Sequence, residues 1–414
     1  MGLLETNSRE RVILVGNCGQ TNWNELRQLA YTAGLEVVGE TSYRVRHPNP
    51  GTYIGRGKVE EIAQYIAATH PDAVIFDDDL TPSQQHNLYG AWGTKIIDRT
   101  ELILDIFAQR ARTHEGKLQV ELAQLTYLLP RITAVYTRFE RQQGGIGTRG
   151  PGETALEADR RRIRDRIRTL QTELEEVKNQ RARARAHRTE ILLPTASLVG
   201  YTSAGKSTLL NALCSANVLV DSKLFATLDP TTRRVELPGG FGILITDTVG
   251  FIQRLPHHLV AAFRATLEEV ALADILVHVV DASNPEWEQQ MVAVESVLDE
   301  LGVKDKPTVV ALNKVDLLPD TYEIRRTVSE NRNWVYISAA RKEGLNNLLK
   351  AMARALEKAM VPMRVLIPYA EGRLLSACHE AGRVTSAEYK PDCVIVEGRF
   401  PRSLAGRLRR YQAD

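Results

Sequence analysis

The stretch ILLPTASLVGYTSAGKSTLLNAL, residues 191–213, leaves the chain the fewest choices. A β-rich run enters Gly200. A loop of Tyr201, Thr202, Ser203, Ala204 and Gly205 follows, and Lys206, Ser207 and Thr208 open an amphipathic helix. The glycines let backbone N–H groups converge on phosphate oxygens, and the positive end of the helix favours the charge those oxygens carry. This is the G-x-x-x-x-G-K-[ST] pattern in the strand, loop and helix setting that a phosphate cradle requires. Lys206 then reaches the terminal phosphates, and the Ser207 hydroxyl can ligate Mg²⁺.

Three later segments narrow the nucleotide to a guanine nucleotide. ILITDTVGF, residues 243–251, is a strand ending in Asp247, placed to hold Mg²⁺ through water. Gly250 follows, with an N–H that can meet the γ-phosphate. VVALNKVD, residues 309–316, sets Asn313, Lys314 and Asp316 at a strand end. Asp316 can accept both the ring N–H and the exocyclic amine of guanine, groups that adenine does not present together. YISAAR, residues 336–341, offers Ser338 and the backbone of Ala339 and Ala340 to the base oxygen. Between the phosphate loop and Asp247, LDPTTR supplies the threonine expected to join Ser207 and Asp247 on the metal. Thr231 and Thr232 both qualify, and Thr232 is preferred. GTP/GDP and Mg²⁺ are thus the expected ligands, with Lys206, Thr232 and Gly250 as the catalytic set. Phe251 stands where some GTPases carry a water-orienting glutamine and has no donor or acceptor for that task. Slow turnover that depends on switch ordering or on a partner is expected.

The flanking regions follow other periods. Over residues 1–100, RVILVG, LEVVGETSYRV, AVIFD and TKIID alternate with helical stretches from Trp23, Lys58 and the TPSQQ cap, the pattern of a small parallel α/β domain. Gly55, Gly57 and Lys58 lack phosphate-loop spacing and read as a turn capping a helix. From residue 101 to 190 the pattern is that of an antiparallel helical hairpin. Leu118, Leu122, Leu125 and Leu129 form one seam. Leu156, Ile163, Ile167, Leu170, Leu174 and Val177 form the other, with coiled-coil steps of four and three. Their connection holds Gly144, Gly145, Gly147, Gly150 and Gly152, and is longer than pairing needs. The second helix is basic, with eleven Lys or Arg against six Asp or Glu over residues 157–188. Residues 361–414 read as a small βαββα unit, its last helix basic. The expected fold is therefore multidomain α/β: an N-terminal α/β domain with a helical hairpin, a central P-loop GTPase domain over 191–360, and a small C-terminal α+β domain.

The net charge of +2 gives no global nucleic-acid signature, so any RNA contact must be local. No uncharged apolar run is long enough for a membrane span, and no signal-peptide pattern opens the chain. The four cysteines lack metal-ligand spacing and read as buried free thiols. A cytoplasmic protein, not inserted in a membrane, is the expectation.

GYTSAGKS, FATLDPTTR, DTVGFI and NKVD, joined upstream by GRGKVEEI, IFDDDLTPSQQ, DRTELILDIFAQRARTHEGKLQVELAQLTYLLPR and GGIGTRGPGE, resemble the HflX family of ribosome-associated GTPases over residues 10–360. That resemblance implies a monomer that binds the large ribosomal subunit and its ribosomal RNA. It also implies GTP-dependent splitting of intact ribosomes, particularly stalled ones under stress. The glycine-rich connection would approach the peptidyl-transferase region, with Arg141, Gly144, Gly145, Gly147, Arg149 and Gly150 as the contact residues. In that setting Arg160, Arg161 and Arg164 become a phosphate-contacting surface. Two positions depart from the family pattern. Ser203 replaces a usual asparagine linked to potassium-assisted hydrolysis, and Ala155 and Ala158 replace a glutamine and a larger apolar residue after the loop. The alternative function is a GTPase of assembly or signalling that binds RNA or protein through the hairpin without splitting ribosomes.

Overall fold

A computed structural model of the chain describes residues 9–132, 151–188, 193–214, 224–225, 230–240, 242–252 and 264–412. They fall into two compact units, Met1–Val177 and Lys178–Asp414.

The first unit is built on β1 (Arg11–Asn17), β2 (Glu36–Tyr43), β3 (Ala73–Phe76) and β4 (Lys95–Ile97), paired in parallel in the order β2-β1-β3-β4. Helices α1 (Trp23–Thr32), α2 (Arg56–Thr69), α3 (Pro82–Trp92) and α4 (Arg99–Arg110) make the crossovers and their continuation. Val12 to Val15 and Ala73 to Phe76 are buried without interruption, as expected for strands covered on both faces. Local chemistry sets the helix starts. Asn22, Asp98 and Thr81 accept from backbone N–H groups in the first turns of α1, α4 and α3, and Thr81 with Gln84 completes a capping box. Gly55 is the N-cap of α2, and Lys58 pairs with Glu61, so this segment is a helix start.

The first arm of the hairpin differs from the sequence expectation. The chain breaks after Arg110, and Thr113 caps a separate helix, α5 (His114–Leu128). Helix α4 packs on α5 as well as on α1 and β3 and buries Ile103, Ile106 and Phe107, so it bridges the sheet and the hairpin arm. Helix α5 pairs with α6 (Pro151–Arg188): the Arg166 guanidinium donates to both carboxylate oxygens of Glu121 at 2.7 and 2.9 Å. On α6, Leu170 is fully buried and Ile163, Ile167, Leu174 and Val177 are half-buried. That is the seam read from the 4,3 spacing.

The second unit carries a six-stranded sheet in the order β10-β9-β8-β5-β7-β6. Its strands are β5 (Thr195–Val199), β6 (Thr231–Glu236), β7 (Gly242–Asp247), β8 (Ile275–Asp281), β9 (Thr308–Asn313) and β10 (Trp334–Tyr336). Only β6 runs antiparallel to its neighbour. Helices α7 (Lys206–Cys214), α8 (Arg264–Leu272), α9 (Trp287–Glu300), α10 (Tyr322–Glu330) and α11 (Leu345–Ala359) accompany it. Ala204, Leu209 and Leu210 pack with Val277, Val279, Leu348, Met352 and Leu356, which fixes the phosphate loop to the sheet through an apolar core. After α11 come β11 (Val361–Pro368), α12 (Gly372–Ala381), β12 (Arg383–Tyr389), β13 (Cys393–Phe400) and α13 (Arg402–Leu408). The three strands form an antiparallel sheet ordered β11-β13-β12. Leu193 lies in its core with Val365, Val396 and Phe400, and Leu244 packs against it, so β5 and β7 are tied to this last module. Its arginines at 402, 407, 409 and 410 are exposed while Leu404 and Leu408 face the core. All four cysteines are free, but Cys378 is the buried one and Cys18 is exposed, which corrects the expectation of four buried thiols.

Among the described residues no helix is long and apolar enough to cross a membrane.

Candidate functional site

The phosphate loop leaves the carboxyl end of β5, where an open parallel sheet places its ligands. Gly200 has φ of +150°, and a Cβ there would stand 2.2 Å from the Val279 carbonyl oxygen, so only glycine fits the turn. Ser203 adopts φ of +62° at the crest of the loop. Ala204 is buried, Gly205 sits beside Asn313, and Thr208 is half-buried in the first turn of α7. Lys206 Nζ donates to the carbonyls of Gly200 and Tyr201 at 3.1 and 2.9 Å. Burial pushes this ammonium down to about 8, with Asp247 pulling in the opposite direction.

Ser207 Oγ donates to Asp247 Oδ2 at 2.6 Å, which puts a hydroxyl and a carboxylate within reach of one cation. Thr202 Oγ1 is buried with no hydrogen-bond partner among the described residues, as expected of a group reserved for a ligand. Gly250 closes over the loop. A Cβ there would meet Thr202 Cγ2 at 2.7 Å and Lys206 Nζ at 3.1 Å. The residues present therefore fit a phosphate chain with a Mg²⁺ ion.

The pairing of β6 with β7 separates the two candidate threonines. Thr231 lies opposite Asp247, and Thr232 lies opposite Thr246. Cross-strand partners share a face of the sheet, so Thr231 is on the side of Asp247 and Ser207. Thr232 is on the other side, where its hydroxyl meets Thr246 Oγ1 at 2.9 Å. The register places Thr231, rather than the preferred Thr232, on the side of Asp247 and Ser207.

Phe251 is buried among Val199, Tyr201, Val270 and Leu276. Its carbonyl accepts from Thr202 N–H at 2.7 Å, and its N–H donates to the Gly200 carbonyl at 3.1 Å. The side chain is an apolar anchor that ties the start of the second switch to the phosphate loop.

The segments expected to meet the base converge from three strand ends. Asn313 donates to the Ala204 carbonyl at 2.8 Å and accepts from Ala339 N–H at 3.0 Å, bracing the phosphate loop against the YISAAR loop. Lys314, with φ of +64°, donates to Asp281 Oδ2 at 2.7 Å. Asp316 lies in the short 3₁₀ turn Val315–Leu317, its carboxylate 3.9 Å from Arg341 Nε. Ser338 is fully buried and accepts from Arg341 N–H at 3.1 Å, while Ala340 is exposed. Asp281 and Arg341 were not among the sequence candidates. Asp281 ends the strand beside β9 and Arg341 closes YISAAR, but neither position alone names a partner.

The candidate RNA contacts Arg141, Gly144, Gly145, Gly147, Arg149 and Gly150 lie outside the described residues. On α6, Arg161 and Arg164 are exposed and Arg160 is half-buried.

Known proteins are similar to this chain over most of its length. Residues 20–108 match the model of a GTP-binding GTPase N-terminal region, 110–188 its middle region, and 195–314 a 50S ribosome-binding GTPase domain. GTPase HflX of Caldanaerobacter subterraneus subsp. tengcongensis is 46% identical over 407 residues, covering 97% of this chain and 94% of that protein. GTPase HflX of Escherichia coli is 45% identical over 379 residues, covering 91% and 89%. A crystal structure of a GTP-binding protein from Sulfolobus solfataricus in complex with GDP aligns with 25% identity over 84% of this chain and 99% of that one, at a TM-score of 0.45. With nearly the whole length matched by HflX proteins and a guanine-nucleotide site assembled at the strand ends, the chain belongs to the HflX family of GTPases.

Proposed function

We propose that this GTPase binds the large ribosomal subunit and uses GTP to split intact ribosomes, including those stalled under stress. The observation that carries the reading is one chain holding both a ribosome-binding type of GTPase domain and a long helix rich in exposed arginine, which follows the glycine segment. The HflX relatives match along this whole arrangement. Arg161 and Arg164 supply sequence-independent attraction to RNA phosphate, and the glycines at 144, 145, 147 and 150 allow a compact, bendable probe.

In the chemical step, phosphate-loop N–H groups and Lys206 hold the β- and γ-phosphates, and the Gly250 N–H meets the transferred group. Ser207 and Asp247, with Thr231, would hold Mg²⁺, which would offset charge on the phosphate oxygens. Asp316 and Ser338 select guanine. With Phe251 committed to the core, the attacking water takes its order from backbone and switch closure, so ribosome contact that orders the switches raises the rate.

The two threonines give a direct test of the metal side. Thr231→Ala is expected to lower GTP turnover by about tenfold to a hundredfold and to weaken Mg²⁺ dependence. Thr232→Ala should cost about 0.5–1.5 kcal/mol of stability through the lost Thr246 contact and leave the rate nearly unchanged. Equal rate losses in single-turnover assays would remove Thr231 from this role.

The ribosome reading is tested by sedimentation. Intact ribosomes incubated with the protein and GTP, or a non-hydrolysable analogue, should yield more free subunits. An unchanged distribution sinks the splitting role and favours assembly or signalling. Replacing Gly144, Gly145 and Gly147 together by valine should abolish the shift while nucleotide affinity stays near that of the unmodified protein.

A further inference from the structure

Beneath α9 the apolar core of the second unit's sheet is divided, with Leu276, Val294 and Leu298 in one cluster and Val280, Met291 and Val310 in another. A cavity of about 540 Å³ lies at this division, a volume that suits a small organic ligand. Register builds its floor. His278 of β8 and Trp334 of β10 are both partnered with Val310 of β9, so the three side chains form one row on one face of the sheet. Met291, Glu295 and Leu298, on successive turns of α9, form a wall above them.

His278 is the unusual member of this row. It is 2% exposed, lines the cavity and has no hydrogen-bond partner among the described residues. Buried polar groups are nearly always paired, so a ring orphaned at a cavity wall marks a place kept for an atom that is not part of the chain. Burial, with Lys206 repelling the same charge, pushes His278 down to about 4. The ring is therefore neutral and offers one N–H donor and one acceptor nitrogen.

Cations outnumber carboxylates around the cavity. Lys304, Lys306, Arg332 and Lys358 line it against Glu295 alone. Two of the four are committed. Lys304 Nζ donates to Asp299 at 3.4 Å, and Lys306 Nζ faces Asp274 and donates to the carbonyls of Ala271, at 2.6 Å, and Ala273. Arg332 and Lys358 are exposed, and neither has a hydrogen-bond or ion-pair partner among the described residues. With the committed lysines set aside, Arg332 and Lys358 against Glu295 leave one positive charge at the rim, which matches a monoanion. Trp334 adds a flat surface, held edge-on to Trp287 with ring centres 6.3 Å apart.

We propose that this cavity binds a small planar heteroaromatic carboxylate. The carboxylate would accept from Arg332 and Lys358 at the rim, the flat body would cover Trp334, Val310 and Met291, and a ring acceptor atom would meet the His278 N–H. The cavity shares no lining residue with the nucleotide site, and the proposal is independent of the ribosome reading.

Quinoline-6-carboxylate, its carboxamide and naphthalene-2-carboxylate share one shape and differ in charge or in the ring nitrogen, so they serve as probes. Ligand-observed NMR titration of the full chain, with GDP and Mg²⁺ saturating the nucleotide site, should give the quinoline carboxylate at least about tenfold tighter than the carboxamide. Naphthalene-2-carboxylate should bind at least about threefold more weakly than the quinoline carboxylate, and His278→Leu should erase that difference. Arg332→Glu, on an exposed loop, reverses a rim charge without touching the core. It should weaken the quinoline carboxylate at least about tenfold, keep the carboxamide within about threefold, and leave GTP turnover unchanged. The site is overturned if the quinoline carboxylate does not bind, if it binds no better than either other probe, or if Arg332→Glu leaves its affinity intact.

Discussion

Lys206→Met is expected to lower GTP hydrolysis by about a thousandfold, measured with and without ribosomes. The ammonium is buried on a strand-to-helix loop and held, among the described residues, by two backbone carbonyls, with Asp247 beyond. An environment that pushes it down to about 8 is poorly matched to its charge, and an anion placed there restores the match. GTP binding near pH 8 should therefore draw a proton from solvent, because the phosphates raise Lys206 back toward its ordinary value. The sign is fixed: uptake on binding, shrinking as pH falls well below 8 and the lysine is already protonated. Methionine keeps the volume and removes both the charge and the uptake. Calorimetry in buffers of different ionisation enthalpy separates this loss from misfolding, since a folded variant still melts cooperatively. Lys206→Arg is expected to fail as well, because a Cβ at Gly250 would already lie 3.1 Å from Nζ and a guanidinium needs more room. Turnover within about tenfold of the unmodified protein in Lys206→Met would remove the lysine from charge compensation.

The parts of this site that the sequence displays are those built from contiguous residues. The phosphate loop runs from Gly200 to Ser207 without interruption, and Asn313 to Asp316 occupy a single strand end. The α6 seam is equally legible, since Ile163, Ile167, Leu170, Leu174 and Val177 repeat on one helix and face inward together. What escaped depends on pairing between distant segments. Whether Thr231 or Thr232 faces Asp247 is a one-residue question of register between β6 and β7, and a shift of one residue exchanges the faces of a strand. The partner of Lys314 is Asp281, 33 positions away, which no local pattern announces. Helix α4 carries enough apolar residues to suit a hairpin arm or a sheet cover. The Asp98 and Thr113 caps make it a separate helix, and it packs on α5 as well as on α1 and β3, so it serves both.

Register also bears on how nucleotide reaches the switch. The antiparallel β6–β7 pairing carries Thr231 to the same strand end as Asp247, and Gly250 and Phe251 continue from that end onto the phosphate loop. Thr231 opens β6 while Gly250 and Phe251 follow β7, so a contact that moves one strand acts on the other through the ladder between them. In the proposed reading this is how a ribosome, touching the protein elsewhere, sets the rate of a site that has no water-orienting side chain at Phe251.

Asp316→Asn is expected to weaken GTP binding by at least about a hundredfold and to improve binding of xanthosine triphosphate. The Asp316 side chain is 13% exposed, so hydrogen bonds made there gain from partial exclusion of water. A carboxylate accepts from guanine N1–H and from the exocyclic amine together, each bond to a charged group contributing about 1.5–3 kcal/mol. Asparagine keeps one acceptor and turns an N–H₂ toward the guanine amine, so one bond is lost and a donor faces a donor. Xanthine has a carbonyl where guanine has the amine, and that carbonyl accepts from the new amide. The change should leave the fold intact, because the Arg341 pair is long, at 3.9 Å, and the arginine is 62% exposed, where ion pairs contribute little. Competition binding with both nucleotides gives the answer directly. A crossing of the two affinities assigns base selection to Asp316, whereas a GTP affinity changed by less than about threefold with no gain for xanthosine triphosphate removes it. Because Lys206, Ser207 and Asp247 are untouched, the variant should hydrolyse the xanthine nucleotide, and ribosome splitting should follow whichever nucleotide is supplied.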